Sequence, residues 1–217
     1  MEISRIQKKK PIKVRYSKYK PSLNSMTEKQ NETEKYPPYT VTPCSVCIKD
    51  VPLFLNTLAT IGLKTHYHIV LLRKYYIAGP RHIETAIKHA VRSFHTKPIA
   101  KTLEIEILLF IAATRQTGRI SLFGVQEGKN DCYICLIPRI TEKQVEPWNL
   151  LQEAGINLVI DTSMNPDSAE ISNDIDNARF LFFMDQYDIT SEELAAIGEN
   201  RLEDLVCERV VLLSIEK

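Results

Sequence analysis

Glycine is scarce in this chain, with seven in 217 residues, and tryptophan occurs once. So few glycines leave no G-x-G-x-x-G and no P-loop, which removes the common phosphate-cradling loops. A G-x-S-x-G nucleophile elbow and the protein-kinase motif set are missing as well. No apolar run approaches the roughly 18 residues of a membrane helix. The longest, Ile107 to Ala113, lies between Glu106 and Arg115. The lysine-rich N-terminus has no apolar h-region, so no secretory signal is expected. Cysteine comes in an odd number, five, with no secretory context, which points to a reduced, cytoplasmic setting.

What is present suits an ordinary globular chain: 44% hydrophobic and 25% charged residues. The net charge of +1 conceals an uneven distribution. Residues 1–36 carry ten Lys/Arg against four Asp/Glu, and residues 37–139 carry thirteen against six. Residues 140–217 carry five against seventeen. A basic body with an acidic last third suits a polyanion on one side and a basic partner on the other.

Residues 1–36 read as a disordered basic extension, because "QKKKPIKVRYSKYK" and the polar stretch after it have no apolar period. Residues 37–217 read as one domain. "YTVTPCSVCI" (39–48) is β-branched and short, a strand; Asp50 then caps a helix with Pro52 in its first turn and Gly62 as its stop. Residues 66–79 contain a second strand, with His66 and His68 alternating on it. Residues 80–95 form the clearest helix: Ile83, Ala86, Ile87, Ala90, Val91 and Phe94 make one apolar face. Residues 98–116 are apolar nearly all round and predict a buried helix reaching Gln116, followed by a short helix ending at Gly124. "DCYICLIPR" (131–139) returns as a strand.

Beyond it, "EPWNLLQEAG" reads as helical, "INLVIDT" as a strand or connector, and residues 167–189 as helical through their apolar middle. "TSEELAAIG" has the Ser-x-x-Glu type of helix start. "RLEDLVCERVVLLSIE" is a final amphipathic helix with Leu202, Leu205, Val206, Val210 and Leu213 on one stripe. The expected fold is mixed α/β, a small mostly antiparallel sheet packed with several helices.

Two Cys-x-x-Cys pairs, Cys44/Cys47 and Cys132/Cys135, raise a four-thiolate zinc site. Both lie in strand-like runs, where residues i and i+3 point to opposite faces, and the gap between the pairs is far longer than usual. Buried packing thiols are the alternative. Glu104 and Glu106, two apart on a helix, cannot face each other as an acid/base pair. With no convincing catalytic constellation, neither enzyme activity nor a cofactor or metal is expected. The strongest chemical signal is basic density between 73 and 119, including Arg73, Lys74, Arg81, Lys88, Arg92, Lys97, Lys101, Arg115 and Arg119.

"AGPRHIETAIKHAVRSF", "KTLEIEILLFIAATRQTGRISLFGV" and the closing "EDLVCERVVLL" resemble the kinase-binding subunit of the KEOPS tRNA-modification complex. His82, Glu106, Arg115-Gln116 and Phe123-Gly124-Val125 match that family's pattern. Thr117-Gly118 stands where the family prefers Ile and a helix-compatible residue. The resemblance covers about residues 39–217 and is most specific over 78–125.

It implies a non-catalytic subunit that grips the single-stranded CCA tail of tRNA and binds and stimulates a Bud-type small kinase. The assembly makes N6-threonylcarbamoyladenosine in tRNA. Arg81, Lys88, Lys101, Arg115 and Arg119 would then meet phosphates, His82 and Gln116 would meet bases, and the stripe of the last helix would enter a groove of the kinase. A stand-alone RNA-binding module is the alternative, and a zinc or thiol enzyme is a third class.

Overall fold

A computed structural model describes residues 39–139, 143–160 and 177–215. All of them belong to one unit, Thr33–Lys217. The expected basic extension, residues 1–36, lies outside the described residues.

The first strand, β1 (Thr40–Ile48), leads to α1 (Val51–Thr65). The Asp50 carboxylate caps this helix, accepting from the Leu53 N–H at 2.8 Å, and Pro52 sits in the first turn as expected. Gly62 does not end the helix, which runs to Thr65 and closes on His66 in the left-handed region at φ 61. A Cβ at Gly62 would lie 2.7 Å from the Tyr67 carbonyl oxygen, so this glycine permits the helix to pack closely on the next strand. That strand, β2 (Tyr67–Arg73), therefore starts after His66, and a 3-10 turn follows over Lys74–Tyr76.

Helix α2 (Pro80–Thr96) buries Ile83, Ala86, Ile87, Ala90 and Val91, the face read from its period. Burying each isoleucine contributes about 1.5–3 kcal/mol. Helix α3 (Leu103–Ile111) is much shorter than the span expected from its greasy sequence. At its start, buried Glu106 draws the preceding loop into its carboxylate: it accepts from Ile99 N–H at 3.0 Å, Ala100 N–H at 2.7 Å and Ser93 Oγ at 2.6 Å. The helix itself begins after Thr102, whose side chain accepts from the Ile105 N–H. At its end, Ala113 turns to φ 46 and breaks the spiral.

A 3-10 helix over Thr117–Leu122 leads to the long β3 (Gly128–Pro138). Then come α4 (Trp148–Glu153), the short β4 (Val159–Ile160), α5 (Asn177–Gln186), α6 (Ser191–Ile197) and α7 (Leu202–Leu212). The capping box of α6 is made by Thr190 and Glu193. Residues 161–176, which include parts of two expected elements, lie outside the described residues.

The strands form one antiparallel sheet in the order β2-β3-β1-β4, with Leu71 opposite Ile134 and Cys44 opposite Cys132. Alternation along the strands builds two cores. Cys44, Val46, Ile69, Leu71, Cys132 and Ile134 face α1 and Leu151 of α4. Val70, Leu72, Cys135 and Ile137 face α2, α3, α5 and α7. The two cysteines of each Cys-x-x-Cys pair diverge accordingly: Cys132 and Cys135 enter different cores, and Cys47 is exposed while Cys44 is buried. Burial pushes the Cys44 and Cys132 thiols up to about 11 and about 12, the opposite of what a thiolate ligand or nucleophile needs.

Candidate nucleic-acid interface

A helix leaves its last carbonyls without partners, and the end of α3 meets that need through other elements. Ile111 O accepts from the Tyr187 hydroxyl at 2.6 Å and from His82 Nε2 at 2.9 Å. Ala112 O accepts from Gln186 Nε2 at 3.0 Å. His82 Nδ1 in turn accepts from the Ala78 N–H at 3.2 Å, which assigns the proton to Nε2. The ring is fully buried, and burial lowers its pKa to about 4. Neutral His82 thus ties the start of α2 to the end of α3. It does not reach solvent, so the base-contacting role expected of it is replaced by a structural one.

From this held end the chain turns outward. The Thr114 hydroxyl oxygen accepts from the Gln116 N–H at 3.2 Å. Gln116, Thr117, Gly118 and Arg119 are exposed. The Arg115 guanidinium reaches the end of another helix. Its Nη2 donates to Leu213 O at 3.2 Å, at the C-terminus of α7, where a cation suits the helix dipole. Gly118 has no atom within 4 Å of where a Cβ would stand, so Thr117-Gly118 is an open turn of the 3-10 helix.

The other expected cations are placed apart. Arg81 pairs with Asp204 of α7; hydrogen bonds from Arg201 and then Arg81 hold that carboxyl below its ordinary range. Lys88 pairs with Glu84 one turn back at 2.5 Å. Lys101 is exposed at the far end of α3, about 13 Å of helix from the turn that carries Arg115. What the structure does gather is the strip Arg115, Gln116 and Arg119.

The stripe expected to meet the kinase faces inward. Leu202, Leu205, Val206, Val210 and Leu213 are buried, with Val206 and Val210 at 0% exposure, in the same core as α2 and α3. The stripe is therefore corrected from interface to core, since α2 lies alongside α7 and covers it. On the outer side of this end stand Leu212, 40% exposed, and Ile215, 69% exposed.

Residues to which the sequence assigned no role in the site, together with Glu106, organise it. Glu203 accepts from the His82 N–H at 3.1 Å and so caps α2 from another helix. Tyr187 and Gln186 hold the end of α3, and Glu106 holds its start. Glu106 and Glu203 stood within the quoted motif stretches; nothing local marked Tyr187 or Gln186. Among the described residues no helix is long and apolar enough to cross a membrane. No protein-family model matches this chain, and none of the curated proteins matches its sequence.

Proposed function

We propose that this chain is a non-catalytic subunit of a KEOPS-type assembly that binds the 3′ CCA tail of tRNA and a Bud-type small kinase. One observation carries the reading beyond the resemblance itself. The three stretches that resemble that family meet in space: Arg81 pairs with Asp204, His82 with Ile111, and Arg115 with the Leu213 carbonyl. Stretches scattered over more than a hundred residues thus pack on one another, and the exposed turn with Arg115, Gln116 and Arg119 leaves from that packed region, which supports a role for it in binding.

Single-stranded RNA is recognised by cations beside its phosphates and by amides or rings on its splayed bases. Arg119 and Arg115 supply the first and Gln116 the second. The kinase contact falls to the outer face of the α7 end, at Leu212 and Ile215, because the inner stripe is occupied.

Two measurements test this. Affinity for tRNA with and without its CCA end should differ; equal affinity sinks the tail-gripping role. Co-purification should return the kinase; tRNA binding without it would favour the stand-alone RNA-binding module.

A further inference from the structure

Where β2 leaves the sheet and β3 enters it, an open pocket of about 380 Å³ is lined by Arg73, Tyr75, Tyr76, Lys129 and Asp131, among others. Its inner wall is a packed cluster of rings. Tyr76 packs on Phe123 and Phe182, with ring centroids 5.8 and 4.8 Å away, and the Arg73 guanidinium lies 4.6 Å from its ring centroid. Arg73 also donates to the Leu122 carbonyl and, at 2.6 Å, to Gln126 Oε1. This joins the pocket to the 3-10 helix that carries Arg119.

Against that wall stands a ring turned to solvent. Tyr75 is 43% exposed and meets Tyr76 edge-on at 5.1 Å. Its backbone is held by Arg179 Nε, which donates to Tyr75 O at 2.8 Å. Beside it, Lys74 Nζ lies 5.6 Å from the Tyr133 ring centroid, and the Lys129 side chain is 75% exposed. The one carboxylate among the lining residues is Asp131. It accepts from Ser45 Oγ at 2.6 Å, lies 3.8 Å from Lys129 Nζ, and has a 56% exposed side chain. Asn130, also in the lining, donates to the Gln126 and Gly128 carbonyls.

We propose that this pocket takes an unpaired, amino-bearing nucleobase of single-stranded RNA, stacked on Tyr75, with Asp131 accepting from its exocyclic amine. The inference rests on the RNA-binding reading above and names the bases that would be preferred. Stacking on an aromatic ring tolerates every base, whereas a carboxylate accepts from the amine of cytosine or adenine and is repelled by the carbonyl that uracil offers there. Lys74, Lys129 and Arg73 set a positive field for the flanking phosphates. Through the Arg73–Leu122 contact the pocket adjoins the 3-10 helix that carries Arg119, along which one strand would run to engage both.

The test uses the full chain and fluorescein-labelled short homopolymers of C, A and U, read by anisotropy at low salt, alongside tRNA with and without its CCA end. The C and A strands are expected to bind about tenfold tighter than U, and Tyr75→Ala to weaken the C strand about tenfold or more while Tyr75→Phe retains it. Asp131→Asn should erase the preference for C over U. Equal binding of the three homopolymers by the unmodified protein, or an unchanged C-strand affinity in Tyr75→Ala, overturns the pocket.

Arg119→Glu separates the two proposals. Loss of tRNA binding in that variant with no effect of Tyr75→Ala leaves the RNA-binding reading and removes the pocket. The reverse pattern keeps the pocket and removes the strip. An unmodified protein that binds no RNA removes both.

Discussion

The Glu203 carboxylate occupies the space that a side chain at Gly79 would fill: a Cβ built there falls directly on it. That carboxylate caps α2 through the His82 N–H, a service no local side chain provides, since Gly79 is the N-cap residue. Negative charge at a helix start is also favoured by the helix dipole. Replacing Glu203 by Ala should cost about 1 kcal/mol, the usual worth of a cap. Gly79→Ala should cost more alone than in the Glu203→Ala background, because the clash is then absent. A double-mutant cycle by urea denaturation checks this, and strictly additive costs would refute the relationship.

His82 makes stability depend on pH. Its folded pKa is lowered from 6.5 to about 4 by burial, so between those values the unfolded chain binds a proton that the folded chain refuses. Stability is complete above the unfolded pKa and falls as pH drops through this window, by a few kcal/mol at most. His82→Gln should start less stable and lose most of that slope. Denaturation midpoints measured across the same window decide it; an unchanged slope would show that other groups set the pH dependence.

Gly118 should tolerate a side chain. It lies in the exposed 3-10 helix without a left-handed backbone, and its surroundings are open. Gly118→Ala is expected to leave stability unchanged or raise it by up to about 1 kcal/mol through the unfolded chain's entropy. A lower melting temperature would contradict that placement.

Buried and exposed positions on α7 and just beyond it should answer differently to charge. Val206→Arg forces a cation into the core, where the cost exceeds about 4 kcal/mol, and folded protein should be lost. Ile215→Arg and Leu212→Arg should fold normally by circular dichroism, since both residues are exposed. Their association with the kinase, measured by pull-down, should weaken; undiminished binding would clear this face of the contact.

Glu106→Ala should destabilise the protein by about 2–4 kcal/mol, because the amides of Ile99 and Ala100 and the Ser93 hydroxyl lose a buried acceptor. Hydrogen exchange at Ile99 and Ala100 should rise well beyond the global change. Uniform exchange would mean that the loop is held by other contacts.

Much of the architecture was legible along the chain because the signals are local. Asp50 and Pro52 announce a helix start through their own hydrogen-bonding and ring geometry. The apolar face of α2 follows from a helical period, and the divergence of Cys132 from Cys135 follows from a strand's period of two. The same logic identified the stripe of α7 but not what covers it: periodicity shows that Val206 and Val210 share a face, not whether α2 or another molecule lies on it.

The candidate site was legible only in part, for a physical reason that runs through every correction. The sequence by itself determined which residues are basic, which faces are apolar and where most elements begin. Tertiary structure decided that His82 is a buried brace between α2 and α3, that Arg115 serves the end of α7, and that Glu203 caps α2. It also decided that α3 stops at Ile111 and that Lys101 stands far from Arg115. Each of these is a contact or a turn set by groups distant in sequence, where burial and unpaired backbone groups outweigh local preference. A basic residue beside a helix end looks the same in sequence whatever it meets, and only the packed chain shows that Arg115 reaches across to the end of α7.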